Sequence, residues 1–360
     1  MMNEDPCNIL DEDPLAWSEE LEKHFLGEFS TASLQANLNM EDRSQVDVCK
    51  NATFVGLYDG CKGDAAADYL LNNAFPTLLR HIKSRYNDLW EGVNGVAEEI
   101  LREVISEIEA KFIEFARDGY ENGQLDMSVV NSGCLICILW RGKVYIEELA
   151  EKYRYDADDI CIKRFGSIRV KGLSETSRCI GNAYMKKASF TTLTSFRAPP
   201  GECVPSLFIE PLLSANPEIH TRVLEETDEF IIFGTSGLWK LLTNEQAAKI
   251  VLENPREGIA KRLAFYAIEA ATHEWGQNYH DIIKFPKGLG PSGWPSVSSK
   301  VTRSVYYDDI AVIVVYLHRS MDADLNAKSK SYINYSEFKY QSVFSEFADG
   351  CGETKKNNYS

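Results

Sequence analysis

The sequence predicts an α+β protein in which antiparallel sheets are covered by helices, and three observations lead to this prediction. Short runs rich in β-branched and aromatic residues, such as residues 52–58 and 133–140, have the composition of buried strands. Only a short turn separates residues 133–140 from residues 144–146, so these two strands should pair antiparallel. Between such runs lie longer segments whose apolar residues recur every three or four positions, which is typical of amphipathic helices covering a sheet.

The first half of the chain predicts a strand followed by two helices. Residues 52–58 form the strand and end in a turn. Asp64 can cap the first helix, although Pro76 should kink it. The second helix begins near Val96, and Gly119 supplies its end. The antiparallel hairpin comes next.

The second half of the chain repeats the order of strand, turn and helix. Residues 230–233 form an apolar strand. Thr243 stands three residues before Gln246, and this spacing is a capping box that begins a helix. Another helix is expected over about residues 257–275. The last core strand should be residues 310–317.

The chain is expected to form one domain with a tail at each end. At about 150 residues per domain, 360 residues would allow two domains, but no linker or repeat divides the sequence. We therefore divide it into an acidic N-terminal extension (1–26), a single domain (27–318) and a polar tail (319–360) that should be disordered. The basic pairs Lys186-Lys187 and Lys261-Arg262 are expected to be solvated, the second on the outer face of a helix.

Composition and charge exclude several classes of function. The 54 acidic and 38 basic side chains give a net charge of −16, which disfavours nucleic acid as a partner. That charge suits divalent cations or basic peptides, or it serves only solubility. The apolar runs are far shorter than the roughly 18 residues of a membrane helix, so no membrane insertion is expected. The acidic N-terminus and nine scattered cysteines favour an intracellular protein, cytoplasmic or nuclear, with reduced thiols.

Acidic residues stand at the ends of apolar strands in three places: Glu41-Asp42, Asp59-Gly60 and Asp308-Asp309. Carboxylates in such positions can present hard oxygen ligands to Mg²⁺ or Mn²⁺ from a rigid scaffold. Each dipeptide alone is as readily a turn or a solvated start to a strand. From the residues alone, both a metal site and an ordinary set of turns remain open.

Six motifs, taken in order, resemble the metal-dependent protein phosphatases of the 2C type, and most closely the plant members. They lie at residues 35–46, 54–60, 177–184, 236–239, 254–263 and 308–314. The resemblance runs from about residue 27 to residue 317. It implies a four-layer α-β-β-α sandwich, in which two antiparallel sheets packed face to face are flanked by helices. A two-metal site would lie in a cleft at one edge.

The resemblance also implies a chemistry and a set of ligands. In this family two Mn²⁺ or Mg²⁺ ions activate a water molecule that attacks phosphoserine or phosphothreonine. By motif position, Glu41, Asp59 and the backbone carbonyl of Gly60 would hold one ion. Asp59 and Asp308 would hold the other.

Five positions depart from the family motifs. Cys61 replaces the histidine proposed to protonate the leaving group, and a thiol with a pKa of about 8.5 is a poorer proton donor at neutral pH. Lys62 replaces a glycine beside the metals. Ser236 replaces an aspartate ligand, so one charged oxygen is lost. Glu151 and Asn182 stand where two further aspartates are expected.

These departures predict a phosphatase fold with impaired chemistry. Such a pseudophosphatase would bind phosphoserine or phosphothreonine proteins, or regulatory proteins, and would hold Mn²⁺ or Mg²⁺ at one weak site rather than two. No catalytic side chain is identified as retained. The alternative is a slow but genuine Mn²⁺- or Mg²⁺-dependent protein serine/threonine phosphatase, in which Asp309 or a water molecule replaces the lost ligand.

Overall fold

The computed structural model describes most of the chain. Its described residues are 5–49, 52–86, 96, 98–140, 143–149, 161–164, 167–170, 174–190, 211–273, 276–287, 302–317 and 330–333. Glu151 and most of the polar segment 319–360 lie outside these ranges. Among the described residues, no helix combines the length and the apolar character needed to cross a membrane.

Helices and strands alternate along the chain. The strands are β1 (Ala16–His24), β2 (Gly27–Leu34), β3 (Arg43–Val48), β4 (Ala52–Tyr58), β5 (Gly60–Cys61), β6 (Asn131–Ser132), β7 (Cys134–Trp140), β8 (Lys143–Leu149), β9 (Cys161–Arg164), β10 (Ser167–Val170), β11 (Ile180–Gly181), β12 (Glu218–Val223), β13 (Phe230–Gly234), β14 (Ile310–Leu317) and β15 (Lys330–Ile333). The α-helices are α1 (Pro6–Asp11), α2 (Ala65–Tyr86), α3 (Glu98–Glu121), α4 (Ser236–Trp239), α5 (Asn244–Glu253), α6 (Ile259–His273) and α7 (Tyr279–Ile282).

Two antiparallel sheets form the centre of the molecule. One has four strands in the order β1-β2-β14-β13, and the other has six in the order β12-β8-β7-β4-β3-β15. Side chains from β2 and β14 share an apolar core with side chains from β3, β4 and β7, so the sheets pack face to face. Helices α2 and α3 cover the six-stranded sheet, while α5 and α6 cover the four-stranded one. The predicted four-layer α-β-β-α sandwich is thereby confirmed.

Local signals in the sequence correspond to the observed starts of two helices, whereas Pro76 does not interrupt α2 and α3 continues two residues past Gly119. α2 begins directly after Asp64 and continues through Pro76 for 22 residues. The hydroxyl of Thr243 accepts the amide proton of Gln246, whose side chain accepts the amide proton of Thr243, so the predicted capping box is present. These elements form where expected because their signals lie within one or two helical turns.

The N-terminal segment requires a correction to the predicted domain boundary. Residues 1–26 were expected to lie outside the domain, yet β1 pairs antiparallel with β2 along the edge of a sheet. The basic pair expected on a solvated face is buried and binds this segment instead. Lys261 contacts Asp11 at 2.5 Å, and the guanidinium of Arg262 donates to both carboxylate oxygens of Asp5. The acidic residues therefore attach the segment to α6.

The polar C-terminal segment also contributes to the fold. β15 pairs with β3 and completes one edge of the six-stranded sheet. Tyr332 is buried, and its hydroxyl donates to Glu22 of β1 at 3.0 Å. The expectation of disorder throughout residues 319–360 is therefore wrong for residues 330–333, because strand pairing and an aromatic anchor offset their polar composition.

The register of the strands brings several turns to one end of the sandwich. Leu34, the last residue of β2, pairs with Ile310, the first residue of β14. Arg43, the first residue of β3, pairs with Tyr58, the last residue of β4. Residues 35–42 therefore cross between the two sheets at the same end where β4 stops and β14 starts.

Candidate functional site

Acidic side chains are crowded at this end of the molecule. Glu41 and Asp42 lie between β2 and β3, Asp59 follows β4, and Asp308 and Asp309 precede β14. Burial and the charges of Asp309 and Asp308 raise the pKa of Glu41 to about 7. Burial, with the charge of Asp59 added, raises the pKa of Asp42 well above its usual range. This end of the molecule is therefore strongly negative, and a cluster of negative charge attracts cations.

Asp309 holds the loop that carries Glu41. Its Oδ1 accepts the amide protons of Ala36 and Asn37 at 2.7 and 3.0 Å, and its Oδ2 accepts that of Glu41 at 2.7 Å. Both oxygens are thus occupied by backbone donors. The suggestion that Asp309 could replace a lost metal ligand is therefore not supported, because this carboxylate shapes the loop.

Two glycines allow the loops to approach each other closely. A Cβ on Gly60 would lie 2.2 Å from the carbonyl oxygen of Glu41. A Cβ on Gly237 would lie 2.0 Å from the carbonyl oxygen of Asp309. Only glycine fits at such separations, so both Asp59-Gly60 and Ser236-Gly237 keep the residue that the packing requires.

Asp59 is bound by the N-terminus of α4. The amide of Ser236 donates to Asp59 Oδ2 at 2.7 Å, and the serine side chain also hydrogen-bonds this carboxylate. Burial nevertheless raises the pKa of Asp59 above its usual value, since the donors of Ser236 offset only part of the desolvation. Ser236 therefore supplies neutral donors at a position where the family motif has a negative ligand.

Asp308 is half-exposed and is oriented by three groups. Its Oδ1 accepts from Asn37 Nδ2 at 2.9 Å and from the amide of Asp309 at 3.0 Å. Its Oδ2 lies 3.6 Å from Nζ of Lys240. A cation of the chain itself is therefore part of the carboxylate cluster.

Cys61 and Lys62 follow the Asp59-Gly60 turn. Desolvation of the Cys61 thiol raises its pKa to about 12, although the residue as a whole is exposed. The thiol is thus protonated at neutral pH but is a very weak acid. Lys62 adopts a left-handed backbone with φ of 63°, and its Nζ lies 5.8 Å from the centre of the Tyr184 ring. The glycine of the family motif would take this conformation without strain.

Asn182 lies on a separate, buried turn. It has a left-handed φ of 57°, and its Oδ1 has no hydrogen-bond partner within the part of the chain that the structure describes. Nearby Lys186 is buried rather than solvated, because its Nζ donates to Glu109 at 2.8 Å and to the carbonyl of Cys179 at 2.6 Å. The same Glu109 accepts the amide proton of Gly181. This ion pair fixes the turn and explains why Lys186 faces inward.

A pair of divalent cations requires several anionic oxygen ligands close together. Glu41, Asp59 and Asp308 lie at the same end of the sandwich, and the charge of Asp308 acts on the other two. Among the described residues, however, no three histidine, cysteine, aspartate or glutamate side chains gather closely enough to hold a metal ion. The fourth ligand position carries neutral Ser236, and the ammonium of Lys240 is already close to Asp308. The residues therefore fit two Mn²⁺ or Mg²⁺ ions poorly.

Three contributors to this site were missed in the sequence: Lys240, Asn37 and Arg43. Arg43 donates to the carbonyl of Met40 and to Asp68 of α2, so it ties the Glu41 loop to a helix. No local signal distinguishes these side chains. A cleft of about 510 Å³ lies next to the carboxylate cluster and shares Asn37 and Glu41 with it, whereas Asp59, Asp308 and Lys240 are not part of its lining. The residues that line it are Asn37, Leu38, Asn39, Glu41, Lys62, Gly63, Asp64, Ala65, Gln124, Asp126, Met127 and Val130.

Comparisons with known proteins agree with this architecture. The family model described as Protein phosphatase 2C matches residues 145–275. The chain is 32% identical over 348 residues to Probable protein phosphatase 2C 68 of Arabidopsis thaliana, covering 86% of this chain and 82% of that protein. It is 33% identical over 352 residues to Probable protein phosphatase 2C 25 of Oryza sativa subsp. japonica, covering 87% of this chain and 84% of that protein.

Solved structures resemble the fold at much lower sequence identity. The serine-threonine phosphatase 2C from Toxoplasma gondii has a TM-score of 0.56 at 13% identity, covering 84% of this chain and 99% of that chain. A sex-determining protein from C. elegans has a TM-score of 0.54 at 14% identity, covering 82% of this chain and 66% of that chain. These similarities concern the fold alone.

Proposed function

This chain belongs to the protein phosphatase 2C family, and from that membership we propose that it is a catalytically impaired member. It would act by binding proteins that carry phosphoserine or phosphothreonine, or by binding regulatory proteins. Two features support the proposal: the sandwich fold of the family is retained, and several positions of the family's active-site motifs are substituted. Glu41, Asp59, the carbonyl of Gly60 and Asp308 remain its proposed cation ligands, at one weak site.

One observation carries the proposal. At position 236 the chain has a serine whose amide donates to Asp59 at 2.7 Å. A hydroxyl adds no negative charge, so a divalent cation there loses one anionic ligand while Asp59 remains satisfied by hydrogen bonds. Weakened cation binding removes the activation of water on which the chemistry of this family depends.

The cleft supports a binding role. Its volume of about 510 Å³ is within the range of small-ligand sites, and Lys62 lies on its wall. Its lining also carries the acidic Glu41, Asp64 and Asp126, so a phosphate on a bound segment would have to pair with the ammonium group of Lys62, with Asn37 and Gln124 as neutral donors. Such contacts would hold a phosphorylated residue without cleaving its ester.

A slow but genuine Mn²⁺- or Mg²⁺-dependent protein serine/threonine phosphatase is the alternative. Three carboxylates, those of Glu41, Asp59 and Asp308, keep their motif positions, and their mutual repulsion favours a cation between them. Under this alternative the lost ligand is replaced by water, since Asp309 is occupied by backbone amides.

The test is turnover of a phosphothreonine peptide in the presence of Mn²⁺. Wild type, Ser236→Asp, Cys61→His and the double variant are compared with an active plant relative. We expect wild-type turnover roughly 10²-fold or more below the relative, with partial recovery in the double variant. Ser84→Asp, an exposed site near the end of α2, controls for added charge. Wild-type turnover equal to that of the relative would exclude impairment.

Binding is measured separately from turnover. Fluorescence anisotropy with phosphorylated and unphosphorylated forms of the same peptide should show tighter binding of the phosphorylated form. Equal affinity for the two forms would remove the phosphoprotein part of the proposal and leave regulatory proteins as the partners.

A further inference from the structure

The ammonium group of Lys240 is placed where the carboxylate cluster needs a cation. Its Nζ lies 3.6 Å from Oδ2 of Asp308, and it also interacts electrostatically with Asp59. We propose that Lys240 is a built-in counter-cation of these two carboxylates, which balances the charge of the cleft and opposes the entry of a divalent metal ion. The inference rests on the proposed function and names the residue that keeps cation binding weak.

The position of Lys240 is set by a single helical turn. Lys240 is four residues after Ser236, and its amide donates to the carbonyl of Ser236 at 2.9 Å. Residues four apart lie on the same face of a helix. One end of this turn therefore donates an amide to Asp59, while its other end presents an ammonium group to Asp308.

The turn is rigidly anchored in the core. Leu238 is fully buried, and the indole Nε1 of Trp239 donates to the carbonyl of Gly234 at 2.8 Å. Gly237 packs directly against the backbone of Asp309. The root of the Lys240 side chain therefore cannot move away from the cleft without displacing buried groups.

Asp308 is held facing the ammonium group. Its Oδ1 accepts from Asn37 and from the amide of Asp309, which leaves Oδ2 directed to Lys240. Both side chains of the pair are about half-exposed, at 55% for Lys240 and 48% for Asp308. The pair is therefore partly open to solvent, so an ion that approaches Asp308 meets the charge of Lys240.

The charge of Lys240 persists in this setting. A lysine side chain is protonated at neutral pH, and the Asp308 carboxylate 3.6 Å from its Nζ favours the charged form. A divalent ion bound between the same carboxylates would be repelled by this positive charge. The repulsion at such separations corresponds to roughly a tenfold to hundredfold loss in affinity for the ion, after allowance for solvent screening.

The second lysine of the cleft does not share this role. Lys62 extends toward the ring of Tyr184. Among the described contacts, Lys240 is therefore the lysine that interacts with Asp308 and Asp59. Substituting Lys240 changes the charge opposite Asp308 without altering any proposed ligand.

The experiment measures Mn²⁺ binding to the full chain by calorimetry and the melting temperature in EDTA and in Mn²⁺. Lys240→Met removes the charge and keeps the length of the side chain, whereas Lys240→Arg keeps the charge. Lys249→Met, on an exposed turn of α5, is the matched control for loss of one lysine charge. Turnover is not a readout in this experiment.

We expect Lys240→Met to bind Mn²⁺ roughly tenfold to hundredfold more tightly than wild type and to gain melting temperature when Mn²⁺ is added. Wild type, Lys240→Arg and Lys249→Met should bind weakly and melt at the same temperature with Mn²⁺ or EDTA. Equal affinities for wild type and Lys240→Met, or an equal gain in Lys249→Met, would overturn the inference.

The folding of the variants is itself informative. If Lys240→Met does not fold, Lys240→Gln repeats the measurement with a polar side chain. Loss of folding in both neutral variants while Lys240→Arg folds would support the counter-cation role, because the carboxylates would then require a positive charge. Wild-type turnover equal to that of an active relative would refute the proposed impairment, while the Mn²⁺ affinities would still decide the role of Lys240.

Discussion

Asp13 provides a sharp test of whether the N-terminal segment is part of the folded domain. Its Oδ2 accepts from Arg303 Nη1 at 2.6 Å and from the hydroxyl of Tyr279 at 2.6 Å, and its Oδ1 accepts the amide proton of Leu15 at 2.9 Å. The side chains of Asp13 and Arg303 are 0% and 1% exposed. Asp13→Ala would therefore leave a buried guanidinium without its counter-charge.

The cost follows from that burial. Removing one partner of a buried ion pair typically costs about 3–5 kcal/mol, because water cannot reach the remaining charge. Arg303 keeps two carbonyl acceptors, those of Phe285 and Ile283, which places the expected loss near about 3 kcal/mol. For a domain of this size such a loss lowers the melting temperature by roughly 6–12 °C.

The assay is denaturant unfolding of the full chain followed by circular dichroism. Glu253→Ala is the matched control, because Glu253 also pairs with a basic residue, Lys249, but the two side chains are 64% and 71% exposed. Its loss should cost less than about 1 kcal/mol. Adding Arg303→Met to Asp13→Ala should restore part of the stability. Equal losses for Asp13→Ala and Glu253→Ala would refute the reasoning.

Variants in the cleft loops test the other structural claims. Lys62→Gly should raise the free energy of unfolding by about 1 kcal/mol, because glycine relieves the left-handed backbone, whereas Lys62→Ala should not; denaturant unfolding checks both. Asp309→Asn should cost about 1–3 kcal/mol and speed hydrogen exchange of the amides in residues 35–42. Asp308→Asn, at a half-exposed site, should leave that exchange unchanged, so equal effects of the two variants would contradict the assigned role of Asp309. In EDTA, Glu41 binds its proton more tightly in the folded than in the unfolded state, so stability should fall as pH rises from about 4.5 to about 7. Glu41→Gln should lessen this decline in melting temperature across that pH range, and an unchanged slope would count against a raised pKa at Glu41.

Elements with strong local signals could be predicted from the sequence. The Thr243–Gln246 capping box and the last core strand, residues 310–317, are where periodicity and capping place them. β1 could not be predicted in this way. Its residues, Ala16–His24, are mostly polar and lack a clean alternation, and a register shift between Glu19 and Glu22 interrupts its pairing. Its conformation depends on pairing with β2, so tertiary contacts override local preference.

The candidate site was partly predictable. The acidic residues at strand ends could be identified from the sequence, and the structure brings Glu41, Asp59 and Asp308 to the same end of the sandwich. The roles within the cluster could not be predicted. Asp309 was considered as a substitute ligand, but three backbone amides bind it, and this becomes visible only when residues about 270 positions apart are brought together.

The sequence by itself determined the family, the order of the main core helices and strands, and which acidic residues are retained or replaced. These properties depend on residue identity and on spacing over one or two turns. Only the tertiary structure decided that both terminal segments add strands to the sheets and that Lys240 faces Asp308. The physical reason is that pairing and electrostatic contact depend on distances in space, and packing sets these distances between residues that the chain keeps far apart.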